Sequence, residues 1–404
     1  MDLFSGVGGA SCGFHAHPRF RLVAAFDAEI GKPSTGTGAL DCNATYRANL
    51  GLSPTAADLA TLSPAALAGQ VRTAAGGAEV TVLIACPPCT GFSRTLATNH
   101  QTDDPRNSLV VRVADYAAAL RPAVVVMENA RELLSGRFSG HAREFAGRMR
   151  EQGYEVRGAV DMLTRFGLPQ YRERAVVVAA RTPLVPRMLA DLWAGWRVRA
   201  EATTVRQAIS HLPAVATGAT HPTDLAHTST ALAGGPNLAR LQATPPDGGS
   251  WIDLAARPDA DRLLIPAMKR SLAQGNPNHF GDVYGRMWWD RPAPTIKRES
   301  SHVGNGRYAH PEQDRLCTVR EMAVLQGFPA GYRFVARSRK NRYRGFGDAV
   351  PPLISHQLAH LCQWVLTGVR PAVPEVILPG THLTPADVLP AVADDLFAHL
   401  PSVA

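Results

Sequence analysis

VTVLIACPPCTGFSR, residues 80–94, runs an apolar strand into two prolines and then a cysteine. The stretch 80–85 reads as a strand. Pro87 and Pro88 have no N–H to donate, so the ladder must stop there. Cys89 is left at the strand's carboxyl end, where open α/β sheets gather their ligands. Taken alone, a turn carrying a buried apolar cysteine explains these residues at least as well. The rest of the chain has to decide between the two.

Similar strand-like runs recur through the first 181 residues. DLF (2–4) enters a glycine-rich turn, and RLVAAF (21–26) ends at Asp27. AVVVMEN (123–129) follows a helical stretch from Leu109 to Leu120, and RAVVVAAR (174–181) closes the series. Continuous apolar runs separated by helices indicate an α/β domain with a mostly parallel sheet covered on both faces. From residue 182 to about 290 the pattern gives way to proline, glycine, threonine and tryptophan, which reads as a separate, loop-rich unit. Helical periodicity returns at 318–326 and 353–365, so residues 291–369 are expected to rejoin the first domain. Residues 370–404, rich in proline and alanine, are expected to form a loosely attached tail.

With 404 residues the chain can bury a sizeable core, and its net charge of +8 suits a polyanionic partner. Six scattered cysteines point to a reducing cytosol, and no apolar run is long enough to span a membrane. Cys86 and Cys89 form a CxxC, but no second CxxC or histidine pair follows at ligand spacing, so no metal is expected. His356 and His360, four apart, fit an amphipathic helix better than a metal site.

Several polar residues fall at strand ends. DLFSGVGG (2–9) sets glycines directly after a strand, where backbone can approach a cofactor closely. Asp27, 18 residues after Gly9, is placed to accept from the ribose hydroxyls of a nucleoside. Asp58 suits either an adenine amino group or a helix cap. Glu128 stands before Asn129 at another strand end, where an ion pair at the core's edge is the simpler reading. In QYRER (170–174), alternation puts Gln170, Arg172 and Arg174 on one face, and such a face needs a polar or anionic partner. YRFVARSRKNRYRGF (332–346) interleaves six cations with four aromatics, as a solvated loop or a phosphate contact would.

In order, DLFSGVGG, PPCTGFS, MENA, QYRER, RPAPT and GDAVP resemble the motifs of the DNA (cytosine-5) methyltransferases. The resemblance covers residues 1 to about 366, and the variable stretch 182–290 falls where that family keeps its target-recognition domain. It implies a Rossmann-like sheet that binds S-adenosylmethionine (SAM), with the recognition domain inserted. Cys89 would add to cytosine C6, Glu128 would hold and protonate N3, and Arg174 would bind O2 with Arg172 supporting the same pocket. Phe4, Gly6, Gly8, Gly9, Asp27, Asp58, Leu59, Leu109, Asp348 and Val350 would line the cofactor. Gln170, Arg337, Arg339 and Lys340 would touch DNA. The target carbon is inaccessible within a duplex, so the cytosine must be swung out of the stack.

The family implies double-stranded DNA as partner, a monomer in the bacterial cytosol or nucleoid, and, for many members, a cognate restriction endonuclease as functional counterpart. An RNA (tRNA) cytosine-5 methyltransferase and a non-catalytic DNA-binding homologue are the rival readings. The roughly 110-residue recognition region favours DNA over the first, and the intact Cys89, Glu128, Arg172 and Arg174 count against the second. This chain departs from the family in carrying Asp348 where members usually have Asn, which sets an acid near the methionine end of the cofactor. Its first strand has almost no lead-in, and GKPSTGTGAL (31–40) is inserted after the second strand.

Overall fold

Two parallel pairings fix the centre of the sheet. In the computed structural model, which describes residues 1–32, 37–88, 103–232, 235–275 and 281–391, β1 (Asp2–Leu3) lies between β2 (Ala25–Asp27) and β4 (Val82–Ala85). Outside β2 comes β3 (Thr55–Ala56), and outside β4 comes β5 (Val124–Ala130), both parallel to their neighbours. β6 (Tyr154–Met162) and β7 (Glu173–Arg181) complete the sheet, with β7 antiparallel to both β5 and β6. The order is β3-β2-β1-β4-β5-β7-β6.

The apolar runs of β4 and β5 are continuous because these two strands are covered on both sides. Val82, Ile84, Val124 and Val126 point into one core; Leu83, Ala85, Val125 and Met127 point into the other. The first core is filled by α1 (Gly9–Ala16) and α8 (Pro352–Thr367), with Ala10, Phe14, Leu353 and Leu358 among its members. The second takes α3 (Pro64–Ala74), α4 (Leu109–Leu120) and α5 (Gly140–Glu151) through Leu67, Val113 and Phe145. α8, late in the chain, thus packs on the same sheet as α1. α8 lies so close to α1 that a Cβ on Gly13 would sit 2.1 Å from His356 N. Ser355 Oγ accepts from Gly13 N–H (3.1 Å) and donates to the Gly9 carbonyl (2.9 Å).

Two boundaries differ from expectation. Leu189, Leu192, Trp193 and Ala202 pack into the core beneath α8, whereas Val205, Trp251, Trp289 and Phe346 belong to a third cluster, which also takes in Val7, Tyr46 and Leu50. The beginning of the 182–290 stretch therefore belongs to the sheet. Nor is the chain after residue 370 loose as far as it is described. Val373, Val376 and Leu378 are buried against α8, and Val388–Pro390 pairs antiparallel with Trp196–Val198. Apolar residues spaced among the prolines hold it down. Residues 392–404 lie outside the described part.

Candidate active site

The sheet order brings the polar strand ends into one row. Along the carboxyl edge of the parallel strands stand Asp58 just beyond β3, Asp27 on β2, Phe4 and Gly6 beyond β1, Pro87 and Pro88 beyond β4, and Glu128 near the end of β5. β7 runs the opposite way, so its first residues, Glu173 and Arg174, reach the same edge.

Glu128 and Arg174 form an ion pair there, Nε to Oε1 at 3.1 Å, with both side chains largely buried. Arg174 also donates through Nη1 to the Glu173 carbonyl at 2.8 Å. Asn129 donates through Nδ2 to the Pro87 carbonyl at 2.9 Å, tying the chain that leaves β4 to the end of β5. Cys89 itself lies outside the described residues. Pro87, two residues earlier, is held beside the strand that carries Glu128. The role of Asn129 was not drawn from the sequence, although its place in MENA after a strand was the available signal.

Arg172 is buried and donates to the carbonyls of Ile296 (3.3 Å) and Ala349 (3.2 Å). It braces the returning chain behind Arg174. Gln170 corrects the expectation of a DNA contact, since it is fully buried. Its Nε2 donates to Gln326 Oε1 (2.7 Å) and the Leu325 carbonyl (3.2 Å), while Oε1 accepts from Ile296 N–H (2.9 Å). The polar face of QYRER meets its partners within the protein: backbone groups and Gln326 for Gln170, backbone carbonyls for Arg172, and Glu128 for Arg174.

On the cofactor side, Phe4 (φ 61°) and Gly6 (φ 50°) turn the chain through the left-handed region. A Cβ on Gly6 would meet nothing within 4 Å, so the space beside it is open. Gly6 N–H donates to Asp27 Oδ2 (2.8 Å), and Glu29 N–H to Oδ1 (2.6 Å). Each oxygen of a carboxylate can accept again, so Asp27 keeps capacity for a diol. Gly8 and Gly9 serve packing instead. A Cβ on Gly9 would lie 2.3 Å from the Val350 carbonyl oxygen, and one on Gly8 2.8 Å from Leu50. Asp58 is exposed and accepts from Ala60 N–H at 2.9 Å. Leu59 and Val350 are buried, and Leu109 is half-buried at the start of α4. An open glycine turn beside a half-shared carboxylate fits a nucleoside.

Asp348 is not a bare charge: it forms an ion pair with Arg298. The basic stretch is also less free than its composition suggests. It forms α7 (Arg339–Asp348), with Ser338 capping Asn341 N–H at 3.1 Å. Lys340 lies 3.5 Å from Glu299, and Arg339 donates to the Ser229 carbonyl at 2.5 Å. Of the three cations expected to touch DNA, Arg337 alone is exposed with no ion-pair partner among the described residues.

Residues 1–364 match the sequence model of the C-5 cytosine-specific DNA methylases. The type II methylase M.HgiDII of Herpetosiphon aurantiacus is 30% identical over 292 residues, covering 72% of this chain and 77% of the relative. The type II methyltransferase M1.HphI of Haemophilus parahaemolyticus is 29% identical over 368 residues, covering 89% and 85%. Among solved structures, a DNA modification methyltransferase encoded within an Escherichia coli prophage superposes with a TM-score of 0.59 at 19% identity, over 91% of this chain and 99% of that one. The Dnmt2 methyltransferase of S. pombe gives 0.57 at 16% identity, over 90% and 97%.

Proposed function

The chain belongs to the C-5 cytosine-specific DNA methylases, and on that premise we propose that it methylates C5 of a cytosine swung out of a short duplex sequence, using the buried pair at the sheet edge. The observation that carries this reading is the Glu128–Arg174 ion pair standing next to the tethered Pro87. A cytosine presents N3 and O2 side by side. A carboxyl beside a guanidinium matches them, with Glu128 at N3 and Arg174 at O2.

Cys89, as thiolate, adds to C6, and protonation of N3 by Glu128 offsets the charge that develops on the ring. C5 thereby becomes an enamine carbon. After methylation at C5, loss of the C5 proton expels the Cys89 thiolate. Bound SAM supplies the electrophilic methyl group. For its part, the protein offers the open turn at Phe4 and Gly6, the carboxylates of Asp27 and Asp58, and the apolar contacts of Leu59, Leu109 and Val350. Arg172 holds the pocket wall rather than the base. The type II names of the relatives favour a place in a restriction–modification system, with a cognate endonuclease sharing the target.

Expression in a host lacking cytosine methylation tests the reading. Nucleoside mass spectrometry of the host DNA should find 5-methylcytosine, and bisulfite sequencing should map it to one short sequence; Cys89→Ser should abolish both. A folded protein that binds SAM and leaves cytosines unmodified would overturn it.

A further inference from the structure

The segments 169–172 and 291–297 meet in a short ladder at the active edge. Ala293 N–H donates to the Pro169 carbonyl (2.9 Å), Tyr171 N–H to the Ala293 carbonyl (2.8 Å), and Thr295 Oγ1 to the Tyr171 carbonyl (2.5 Å). Gln170, Arg172, Ala293 and Ile296 turn inward and are buried. Tyr171 is 48% exposed, and Arg291 and Lys297 are exposed with it. Pro292 and Pro294 lack N–H groups, so this edge is poorly suited to adding another strand. What it presents is side chains.

The charge on this edge is uncompensated. Arg291 lies 4.7 Å from the centroid of Trp288, a stacking that holds the guanidinium in one direction. Neither Arg291 nor Lys297 has an ion-pair partner among the described residues. The nearby carboxylates are already engaged: Asp290 by Arg206 (2.6 Å), Glu299 by Arg344 (2.7 Å), Glu173 by Arg131 (2.6 Å), and Asp348 by Arg298. Two cations with no ion-pair partner among the described residues and an exposed aromatic ring thus stand on the ladder that leads into β7, where Tyr171 precedes Arg174 by three residues.

We infer that Tyr171, Arg291 and Lys297 form a contact surface for the DNA backbone beside the displaced cytosine. The two cations meet phosphates and the Tyr171 ring packs on the neighbouring nucleotide. This rests on the methyltransferase reading above and moves the main phosphate contact away from residues 337–340. A base drawn into the pocket brings its own phosphates to the rim. Cations held there without counter-ions are the groups able to meet them.

Arg291→Gln and Lys297→Gln, singly and together, are titrated with a fluorescent random-sequence duplex over a series of salt concentrations. The slope of log K against log salt should become shallower by about 0.9 for each cation removed. Tyr171→Ala should weaken binding about fivefold or more, the low end for an aromatic contact with nucleic acid, and leave the slope unchanged; Tyr171→Phe should retain affinity. Melting temperature and SAM binding are measured in parallel to show that each variant is folded. Wild-type slopes in folded Arg291 and Lys297 variants would overturn the inference, as would wild-type affinity in Tyr171→Ala. If the wild type methylates cytosine while these variants bind normally, only this inference fails. If it neither methylates nor binds duplex, the reading beneath it fails as well.

Discussion

Glu128→Gln separates the chemistry of the pocket from its architecture. The substitution keeps the shape and one acceptor oxygen but removes a negative charge whose Oε1 lies 3.1 Å from Arg174 Nε. Breaking a buried ion pair costs about 3–5 kcal/mol. That is an upper bound here, because the amide oxygen remains and Arg174 keeps its 2.8 Å bond to the Glu173 carbonyl. Unfolding entropy of about 2.1 cal/mol/K per residue gives roughly 0.85 kcal/mol/K for 404 residues. Even the full cost therefore lowers the melting temperature by only about 4–6 °C. Catalysis should lose far more, since a positioned general acid contributes roughly 10²–10⁴-fold. Single-turnover transfer of a radiolabelled methyl group, read beside a thermal melt and duplex-binding anisotropy, should show that loss with binding largely kept. A variant that melts lower yet transfers methyl within tenfold of the wild-type rate would refute the acid role and reduce Glu128 to an anchor for Arg174.

Asp348→Asn removes a partly exposed ion pair, worth no more than about 1 kcal/mol, so the SAM dissociation constant should change by less than about tenfold. Arg298→Gln should have the same effect and the double variant no more; calorimetry on the three variants checks this. Acid should destabilise the fold through its buried histidines. Burial pushes His310 down to about 4 and His360 to about 3, and lowers His17 and His356 as well. The unfolded chain then binds more protons below pH 6.5, so stability present above that pH is lost as pH falls toward 4, by up to about 1.4 kcal/mol per pH unit for each histidine. Asp2, raised by burial to about 7, opposes one of these over the same window; urea melts between pH 7 and 4.5 should still show a net fall. Gly13→Ala would drive a methyl into the backbone of α8 at His356. At about 3 kcal/mol for overpacking, it should lower the melting temperature by roughly 3–4 °C.

The parallel strands were legible because burial on both faces leaves little room for polar residues. VTVLIA and AVVVMEN therefore read as strands without any partner in view. The active edge was legible because strand ends are where the polar residues resume. What the sequence concealed depends on distant neighbours. Alternation in QYRER puts Gln170 and Arg172 on one face, but local pattern cannot reveal that residues 296, 325, 326 and 349 come back to meet it. The same holds for Asp348, whose partner Arg298 lies 50 residues away. Composition likewise made 370–391 look loose, although a few spaced aliphatics anchor it.

The segment 347–350 joins three parts of the candidate site. A Cβ on Gly347 would lie 2.6 Å from the Lys297 carbonyl oxygen, and Asp348 pairs with Arg298. The Ala349 carbonyl accepts from Arg172 (3.2 Å) and Gln326 (2.8 Å). The Val350 carbonyl oxygen occupies the space that a Cβ on Gly9 would need. Four consecutive residues thus touch the glycine turn, the wall behind Arg174 and the segment bearing Lys297. A shift of the Ala349 carbonyl away from the pocket withdraws an acceptor from buried Arg172, and a shift toward it presses Val350 on Gly9. Neither side can give without strain in a close-packed interior. The geometry of the glycine turn and that of the Glu128–Arg174 edge are therefore set together, through the backbone of residues 347–350.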